Sequence, residues 1–337
     1  MSGPAYPPQK GAPKRSDLFD GERFFNPGAD TDKGLADLWR WRRQRKPVLW
    51  PKRVENPPAP PPPLMVTEDE AAFTFIGQAT YLIRVAGHVI LTDPIFSERA
   101  SPFSFAGPRR VRDPGIALDA LPWVDVVLLS HNHYDHMDLA TLRVLRDKFD
   151  PKIVTGLGNG DYLAGKGVPG AIELDWWDRC EPRPGLIVTY VPAQHWSSRS
   201  LRDRRRMLWG GHVLETGGKR IYFAGDSGLF DGFSEIRRRC GAPDVALLPI
   251  GAYEPRWFMQ SQHMNPDDAV QAHVALGSGL SLGMHWGTFQ LTDEGIDEPP
   301  QALVTAKTKY DVPADRFLAP LPGQTVLWRK RQGDRLS

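Results

Sequence analysis

Residues 131–136 read HNHYDH and place three of the chain's nine histidines beside a carboxylate. Neutral imidazole nitrogens and carboxylate oxygens are typical ligands of zinc. The segment follows an apolar run, Val124–Leu129, that predicts a buried strand. A strand that ends in a ligand-rich loop is a common way for a rigid scaffold to present a metal ion. Residues 131–136 therefore predict a metal centre, for which the rest of the chain must supply further ligands.

Three later strands lead to residues that bind metals in other proteins: Val188–Pro192 before His195, Ile221–Ala224 before Asp226, and Leu282–Met284 before His285. A catalytic zinc needs three protein ligands and an open position, and two adjacent zincs need about twice that number. His131 and His133 alternate along the chain, so their side chains can converge on one ion. Asp135 and His136 fall on the other side of the turn, where they can serve a second ion. The four strand ends together predict a site for two metal ions.

The elements that must position these residues can be read from hydrophobic periodicity and from turn residues. Strands are predicted at the following runs: Ala71–Ile76, Tyr81–Val85, Val89–Thr92, Ile153–Thr155, Leu186–Pro192, Met207–Glu215, Lys219–Ala224, Val245–Pro249 and Ser281–His285. Helices are predicted near Leu139–Lys148, at Phe233–Cys240, and at Pro266–Leu276 with Asn265 as its N-cap. Strands and helices mix in both halves, which predicts an α/β fold with two sheets and outer helices.

Composition excludes several classes of protein. The net charge of +2 gives no broad basic surface, so no nucleic-acid partner is predicted. The two cysteines form no CxxC pair, which argues against a thiolate metal site. Neither an N-terminal apolar signal segment nor an apolar run of membrane-spanning length is present. We therefore expect a cytoplasmic protein whose contact with the inner face of a membrane, where there is one, is peripheral.

Residues 1–64 differ from the rest of the chain and are predicted to be a Pro-rich, basic N-terminal extension. Pro57–Pro63 predicts a stiff polyproline II spacer, so the compact domain is predicted to cover residues 65–337. Leu35–Arg45 within the extension predicts a short basic helix containing Trp39 and Trp41. Two alternatives remain open for this helix: a strap packed on the domain, or a helix lying on a membrane surface.

Taken together, the HxHxDH segment, the later histidine, Gly225-Asp226-Ser227 and the final strand-end histidine resemble the metallo-β-lactamase superfamily. Within it, the chain resembles the N-acylphosphatidylethanolamine-hydrolysing phospholipase D family over roughly residues 70–320. The segments that carry this finer resemblance are Phe75–Thr80, Thr92–Phe96, Ser130–His136, Pro192–Trp196, Trp209–Gly211, Gly251–Met259 and His285–Phe289. The resemblance implies an αββα sandwich, in which two mixed β-sheets pack face to face with outer helices. It also implies a homodimer, for which the sequence offers no separate signal.

The family pattern implies two Zn²⁺ ions on the seven residues already collected. One ion would bind His131, His133 and His195, the second would bind Asp135, His136 and His285, and Asp226 would bridge both. The same donors would also hold Mn²⁺ or Fe²⁺. The implied substrate is a phospholipid, N-acylphosphatidylethanolamine, which a water shared by the two ions would cleave at phosphorus to phosphatidic acid and an N-acylethanolamine.

Other residues are candidates for catalysis or substrate binding. Besides Asp135 and Asp226, which reduce the positive charge of the centre, His263 is a candidate to orient a phosphate oxygen or to protonate the leaving alkoxide. The resemblance places Gln262 and His263 near the substrate, and the preceding aromatic loop adds Tyr253 and Trp257. Arg204 and Arg205 in the loop after His195 are candidates to hold phosphate, the alternative being a solvated loop. His88, His212 and His273 are predicted to have structural roles.

Two other functions compete with the phospholipase. One is a different binuclear hydrolase of the superfamily, such as a lactonase acting on a phosphorylated sugar acid, because one fold hosts many chemistries. The other is a non-catalytic, metal-stabilised lipid-binding module. The lactonase calls for a small polar pocket, which the aromatic and Arg-rich loops disfavour, and the complete ligand set disfavours the module.

Overall fold

The computed structural model describes residues 16–28, 32–200 and 202–330. The strands are β1 (Glu70–Gly77), β2 (Thr80–Val85), β3 (His88–Thr92), β4 (Val126–Leu128), β5 (Lys152–Gly156), β6 (Ile172–Leu174), β7 (Arg179–Arg183), β8 (Leu186–Val191), β9 (Gly211–Thr216), β10 (Lys219–Phe223), β11 (Val245–Pro249), β12 (Leu280–Met284), β13 (Phe317–Leu318) and β14 (Thr325–Arg329). The helices are α1 (Leu35–Gln44), α2 (Leu139–Phe149), α3 (Asn159–Gly165), α4 (Gly232–Cys240), α5 (Arg256–Met259), α6 (Pro266–Leu276) and α7 (Glu298–Lys309).

The strands form two mixed sheets with the orders β14-β1-β2-β3-β4-β5-β6 and β13-β12-β11-β10-β9-β8-β7. Alternate residues of β4 explain why its sequence is continuously apolar: Val126 and Leu128 join the core between the sheets, whereas Val127 packs in a second cluster with residues of α2. On the second sheet, α6 packs against β11, and α4 and α7 pack against α6. The predicted αββα sandwich is confirmed.

The topology places the ligand-bearing loops at one end of the sandwich. β3 and β4 run parallel, and β10, β11 and β12 also run parallel to one another. Two successive antiparallel pairings, of β8 with β9 and of β9 with β10, give β8 the same direction as β10. The carboxyl ends of these strands therefore lie at the same edges of the two sheets. The segments that follow β4, β8, β10 and β12 consequently meet.

Most predicted elements appear with small shifts in their bounds. The bounds of β11 and α6 agree with the prediction, and the Asn265 side chain caps α6 by accepting from the backbone N–H of Asp268. The strand predicted to start at Met207 begins only at Gly211, because the N–H groups of Leu208 and Gly210 bond to Leu157 and Ser130 instead. The prediction did not include α3, α5, α7, β6, β7, β13 or β14.

The described part of the N-terminal extension lies on the domain. The Trp41 ring of α1 stacks on Phe258 at 5.3 Å between centroids, and the Trp50 indole donates to the Glu294 carbonyl at 2.8 Å. The helix therefore packs on the domain as a strap, and its outer face, with Trp39, Arg42 and Arg43, is exposed. Residues 1–15 of the predicted extension lie outside the described residues. Within the described ranges, no helix has the length and apolar character that a membrane span requires.

The extension also supports the loop that carries His195. The buried Asn26 amide donates to the His195 carbonyl at 2.8 Å and accepts from the Trp209 indole at 3.2 Å. Asn26→Ala should lower the free energy of unfolding by about 1–3 kcal/mol, since it removes a buried hydrogen-bond donor from the His195 carbonyl. Urea denaturation measures this loss. Glu22→Ala, an exposed change in the same segment, is the control, and equal stability of the two variants would contradict the supporting role.

Candidate metal centre

The structure brings all seven predicted ligands together in two sets. The first set is His131, His133 and His195, and the second is Asp135, His136, Asp226 and His285. Within each set the ligand atoms lie within 4.8 Å of one another. All of them are buried except His133, which is half-buried. Such a concentration of imidazoles and carboxylates at one place fits the donor chemistry of zinc.

Three imidazole nitrogens converge in the first set. His131 Nε2 lies 2.9 Å from His133 Nδ1, which lies 3.2 Å from His195 Nε2. The outer nitrogens are held from behind: His195 Nδ1 donates to the Gln262 carbonyl at 3.0 Å, and His131 Nδ1 lies 2.8 Å from Ser130 Oγ. With its proton on Nδ1, His195 presents the lone pair of Nε2 to the centre of the set, as a metal ligand must.

The second set combines two carboxylates with two imidazoles. Asp135 Oδ2 lies 3.0 Å from His285 Nε2 and 3.2 Å from His136 Nε2. Asp226 Oδ2 lies 3.2 Å and 3.1 Å from the same two nitrogens. The Gln78 amide donates to Asp135 Oδ2 at 2.9 Å and fixes the orientation of that carboxylate. The donors of the second set are therefore mixed, two carboxylates and two imidazoles.

Asp226 lies between the two sets. Its Oδ2 atom, already close to His136 and His285, is also 3.8 Å from His195 Nε2 and 4.0 Å from His131 Nε2. The other oxygen, Oδ1, is buried and has no hydrogen-bond partner among the described residues. This is the position that a carboxylate bridging two ions would need.

Burial governs protonation in the first set. It lowers the pKa of His133 and the pKa of His195 to about 3. Burial, together with the neighbouring His136, also puts the pKa of His131 well below its usual value. All three imidazoles are therefore neutral near pH 7, the form that binds metals.

The second set behaves in the opposite way. Burial disfavours the charge on His285, but the carboxylates of Asp226 and Asp135 outweigh it and raise the pKa of His285 to about 9. The pKa of His136 is raised well above its usual value by the same balance. Burial likewise opposes the charges of Asp135 and Asp226, yet the nearby histidines keep both pKa values well below the usual range. Without metal, the second set therefore holds two carboxylates against two imidazolium groups.

Asp93 connects the two sets from behind. The carboxylate, fully buried, accepts from His136 Nδ1 at 2.6 Å and from the Ser130 hydroxyl at 2.5 Å. Its second oxygen accepts from the Ser130 backbone N–H at 2.7 Å. Because Ser130 Oγ also contacts His131, one carboxylate orients a ligand of each set. Sequence reasoning assigned Asp93 no role, although this residue too stands directly after a strand, β3, and the same signal could have found it.

The backbone around the ligands is shaped for close approach. Gly225 has a φ of +61°, and a Cβ at this position would lie 2.5 Å from the Ser130 Cβ. Only glycine lets the chain pass Ser130 and deliver Asp226 to the centre. His285 itself has a φ of +62°, and its N–H donates to the Gln78 carbonyl at 2.6 Å. Gln78 thus holds a ligand of the second set through its backbone as well as through its amide.

His263 lies beside both sets, whereas Gln262 is engaged in positioning. His263 Nδ1 is 3.8 Å from Asp226 Oδ2 and is buried without a hydrogen-bond partner among the described residues. Gln262 accepts from His195 through its carbonyl, and its side-chain oxygen accepts from the Trp196 indole at 2.5 Å. Trp196 in turn packs edge-on against His133, with 4.4 Å between ring centroids. Trp196 is a contact of the site to which the sequence analysis assigned no role.

The remaining substrate-binding candidates lie farther from the ligands. The Tyr253 hydroxyl donates to Glu298 at 3.0 Å, and Trp257 is partly exposed beneath the Arg40 guanidinium, 4.5 Å from the ring centroid. Arg204 and Arg205 both pair with Asp32 of the N-terminal extension, at 3.0 and 3.1 Å.

The arginine pair is linked to the site through an aromatic ring. The Arg204 guanidinium lies 3.9 Å from the centroid of the Trp196 ring, which contacts His133. A role of Arg204 and Arg205 in binding phosphate stays a prediction.

The other histidines stand apart from the two sets. His212 is buried between Tyr190 and Phe223, and burial lowers its pKa to about 3. His273 lies 2.8 Å from Ser281 Oγ, and His88 is half-buried at the start of β3. Their positions fit the structural roles expected for them.

Comparisons with known proteins agree with this geometry. A beta-lactamase superfamily domain matches residues 88–286. N-acyl-phosphatidylethanolamine-hydrolyzing phospholipase D 1 of Caenorhabditis elegans is 39% identical over 242 residues, which cover 68% of each chain. The mitochondrial enzyme named for the same reaction in Saccharomyces cerevisiae is 35% identical over 236 residues, which cover 68% of this chain and 50% of that one.

Other similar proteins carry less specific names. An uncharacterized protein of Mycobacterium tuberculosis is 36% identical over 299 residues, which cover 85% of this chain and 78% of that one. Among solved structures, isothiocyanate hydrolase from Delia radicum gut bacteria superposes with a TM-score of 0.62 at 21% identity, over 77% of this chain and 100% of that one. At that identity the likeness shows the fold alone.

The different protonation of the two sets predicts two different metal-binding steps. A metal ion must displace the protons of His285 and His136, so binding to the second set should strengthen as pH rises towards about 9. The first set has no proton to lose, so its affinity should change little between about pH 6 and about pH 8. Calorimetric zinc titrations of the metal-free protein in buffers of different ionisation enthalpy should show release of about two protons. Both should be released in the step in which zinc binds to the second set.

Two variants test this assignment. His285→Ala should release about one proton fewer, whereas His88→Ala should behave as the unaltered protein. Two binding steps with the same dependence on pH would contradict the assigned protonation.

Proposed function

Because this chain belongs to the metallo-β-lactamase superfamily of metal-dependent hydrolases, we propose that it hydrolyses the phosphodiester of N-acylphosphatidylethanolamine on the phospholipase D side. The products are phosphatidic acid and an N-acylethanolamine. The observation that carries the proposal is the position of Asp226 Oδ2, within 4.0 Å of imidazoles from both ligand sets. The two relatives named for this reaction support the choice of substrate.

The residues fit a pair of divalent cations, for which we propose Zn²⁺. His131, His133 and His195 would hold one ion, Asp135, His136 and His285 the other, and Asp226 would contact both. When bound, two such ions lower the pKa of a shared water and stabilise charge on the phosphoryl oxygens. The two carboxylates reduce the net positive charge of the site, so that it attracts a phosphodiester without holding the anionic products too tightly.

The protein's own groups orient the reactants. Asp226 Oδ1, buried and without a partner among the described residues, is available to accept a hydrogen bond from the attacking water. Asp93 and Gln78 keep His136 and Asp135 in fixed orientations, which lowers the entropy that the reaction must lose on reaching its transition state.

His263 supplies the group that faces the phosphate. Arg256 holds the His263 carbonyl at 3.0 Å and pairs with Asp268 at 2.5 Å, so the ring is anchored through its backbone. The free Nδ1 atom beside Asp226 can orient a phosphoryl oxygen. Burial lowers the pKa of His263 to about 3, so the ring is neutral near pH 7, and as a proton donor it would pass on to the leaving alkoxide the proton that the attacking water releases. The leaving group of the proposed substrate is the alkoxide of an N-acylethanolamine. Because this is a poor leaving group, assistance at its oxygen has a large effect on the rate.

The apolar surroundings suit a lipid. Trp196 packs against His133, and Met259 Sδ lies 3.7 Å from the Gln262 amide, which places large apolar groups next to the ligands. Trp176 and Trp209 belong instead to the core between the sheets. Large aromatic side chains are thus divided between the core, with Trp176 and Trp209, and the surroundings of the ligands, with Trp196.

The zinc-loaded protein should hydrolyse N-acylphosphatidylethanolamine and the soluble diester bis-p-nitrophenyl phosphate, and leave a panel of lactones intact. In water labelled with oxygen-18, the label should enter phosphatidic acid, since the water attacks phosphorus. Mass spectrometry of both products measures this. Label in the N-acylethanolamine, or turnover of lactones but of neither diester, would overturn the proposal, and zinc binding without any turnover would indicate a lipid-binding module.

His263→Ala should lower kcat on N-acylphosphatidylethanolamine by about 10²–10³-fold while zinc content stays unchanged. A proton-donating role predicts a much smaller loss on bis-p-nitrophenyl phosphate, whose leaving group needs no proton, whereas an orienting role predicts similar losses on both. His88→Ala is the matched control and should keep full activity on both diesters. Unchanged turnover of the lipid by His263→Ala would exclude either role.

A further inference from the structure

Several large apolar side chains are exposed at the end of the sandwich that carries the ligand-bearing loops, besides others that are exposed elsewhere on the domain. The exposed fractions of Leu49, Phe105 and Trp39 are 86%, 78% and 66%. Val48, Leu38, Phe103 and Trp257 are exposed as well. Single exposed apolar residues are common, but a group of large ones concentrated at one end of a domain marks an interaction surface.

These residues lie in three stretches of the chain, 38–49, 103–105 and the segment with Trp257. All three stretches are bound to the loop 286–294, which follows the ligand His285. The segment with Val48 and Leu49 is bound to it by the Val48 N–H to the Asp293 carbonyl at 2.9 Å and by the Gln290 amide to the Val48 carbonyl at 2.8 Å. The loop with Phe103 and Phe105 is bound through a bridge between Arg110 and Phe289 and by the Val111 N–H to the Thr288 carbonyl at 2.9 Å.

Helix α1 joins the same rim. Arg45 at its end pairs with Asp293 at 3.1 Å, and Trp41 stacks on Phe258. Phe258 precedes Met259, whose sulfur touches Gln262. We call the exposed groups Leu38, Trp39, Val48, Leu49, Phe103, Phe105 and Trp257 the apolar rim. The rim therefore lies at the same end of the sandwich as the ligands, and Gln262, whose carbonyl accepts from His195, links this end of the chain to the first set.

Cationic side chains alternate with the apolar rim. Arg40, Arg42 and Arg43 are exposed on α1, against one carboxylate on the helix, Asp37. The Arg40 guanidinium lies 4.5 Å from the Trp257 ring, and that of Arg43 lies 5.4 Å from the Trp39 ring. At the tip with Phe103 and Phe105, Arg99 donates to the Ser104 and Gly107 carbonyls, and Arg109 pairs with Glu98.

We propose that the apolar rim and the arginines of α1 form a docking surface for an anionic phospholipid bilayer, held so that the metal centre faces the lipid headgroups. Tryptophan and phenylalanine beside arginine suit the water–lipid boundary, where the rings enter the acyl region and the guanidinium groups meet phosphates. A second copy of this chain is a poorer occupant, since two such surfaces would bring arginines of the same sign together.

This inference rests on the proposed function, because docking would bring an insoluble lipid substrate to the buried metal centre. Binding itself requires no turnover. A vesicle assay therefore separates the two: vesicle binding without hydrolysis of any diester would contradict the proposed function alone, and hydrolysis of soluble diester without vesicle binding would contradict the docking surface alone.

The test is flotation of the full-length, zinc-loaded protein with vesicles of phosphatidylcholine, with or without about 30% phosphatidylglycerol. The protein should bind the anionic vesicles, and Arg42→Gln/Arg43→Gln should weaken this binding about tenfold or more and reduce its dependence on salt. Phe103→Ser/Phe105→Ser should weaken binding to a similar extent without changing the salt dependence.

Trp123→Ala is the matched control. Trp123 is equally exposed, at 58%, but precedes β4 at the opposite end of the sandwich and packs against Phe149. It should leave vesicle binding unchanged. Thermal unfolding and zinc content, measured for every variant, identify any variant that has lost its fold, and the two rim variants report on separate segments. The proposal would be overturned if neither double variant weakened vesicle binding more than Trp123→Ala does. It would also be overturned if light scattering showed that Trp39→Ala changes the oligomeric mass, since the surface would then be an interface between copies of the chain.

Discussion

The structure depends on how two carboxylates, Asp135 and Asp226, are kept charged in a buried place. Removing a carboxylate from water is strongly unfavourable unless cationic or hydrogen-bonding partners compensate. Here the partners are imidazoles, and Asp226 Oδ2 alone lies within 4.0 Å of four ligand histidines. In the metal-free protein the compensating charge is the protons on His136 and His285, whereas metal ions would replace those protons. The two carboxylates therefore require positive charge beside them, either the protons of His136 and His285 or metal ions.

The positions of these charged groups depend on the two sheets that carry them. The ligands come from segments far apart in the chain, and parallel strand ends bring them to one edge. Asp93 then holds His136 directly and His131 through Ser130, so an error in the pairing of β3 with β4 would misplace ligands of both sets at once. Gly225 serves the same purpose on the second sheet, since a side chain there would push Asp226 away from Ser130. The rigidity of the site thus follows from the register of the sheets.

The sequence predicts which seven side chains the fold brings together, because each carries a local signal, a residue of metal-binding type shortly after an apolar run. The fold class follows from the same runs, and β11 and α6 appear at the predicted bounds. Apart from Asp93, which follows a strand directly, the features that sequence reasoning did not find lack a local signal or depend on distant pairing. Strand β13 has only two residues, and β14 contains no fully buried residue and pairs with β1, which is far away in the sequence. The support that Asn26 gives to His195 links residues 169 positions apart, which no periodicity reveals.

The N-terminal extension shows how one superfamily fold can acquire a particular substrate. The matched superfamily domain begins at residue 88, yet the extension contacts a ligand or its surroundings at three places. Asn26 holds the His195 carbonyl, Asp32 pairs with Arg204 and Arg205, and Trp41 stacks on Phe258. Since the metal-binding core is shared by hydrolases of many kinds, selectivity must come from what surrounds it. In this chain the surroundings are aromatic and cationic side chains, many of them supplied by the extension, and this chemistry agrees with the phospholipid substrate that we propose.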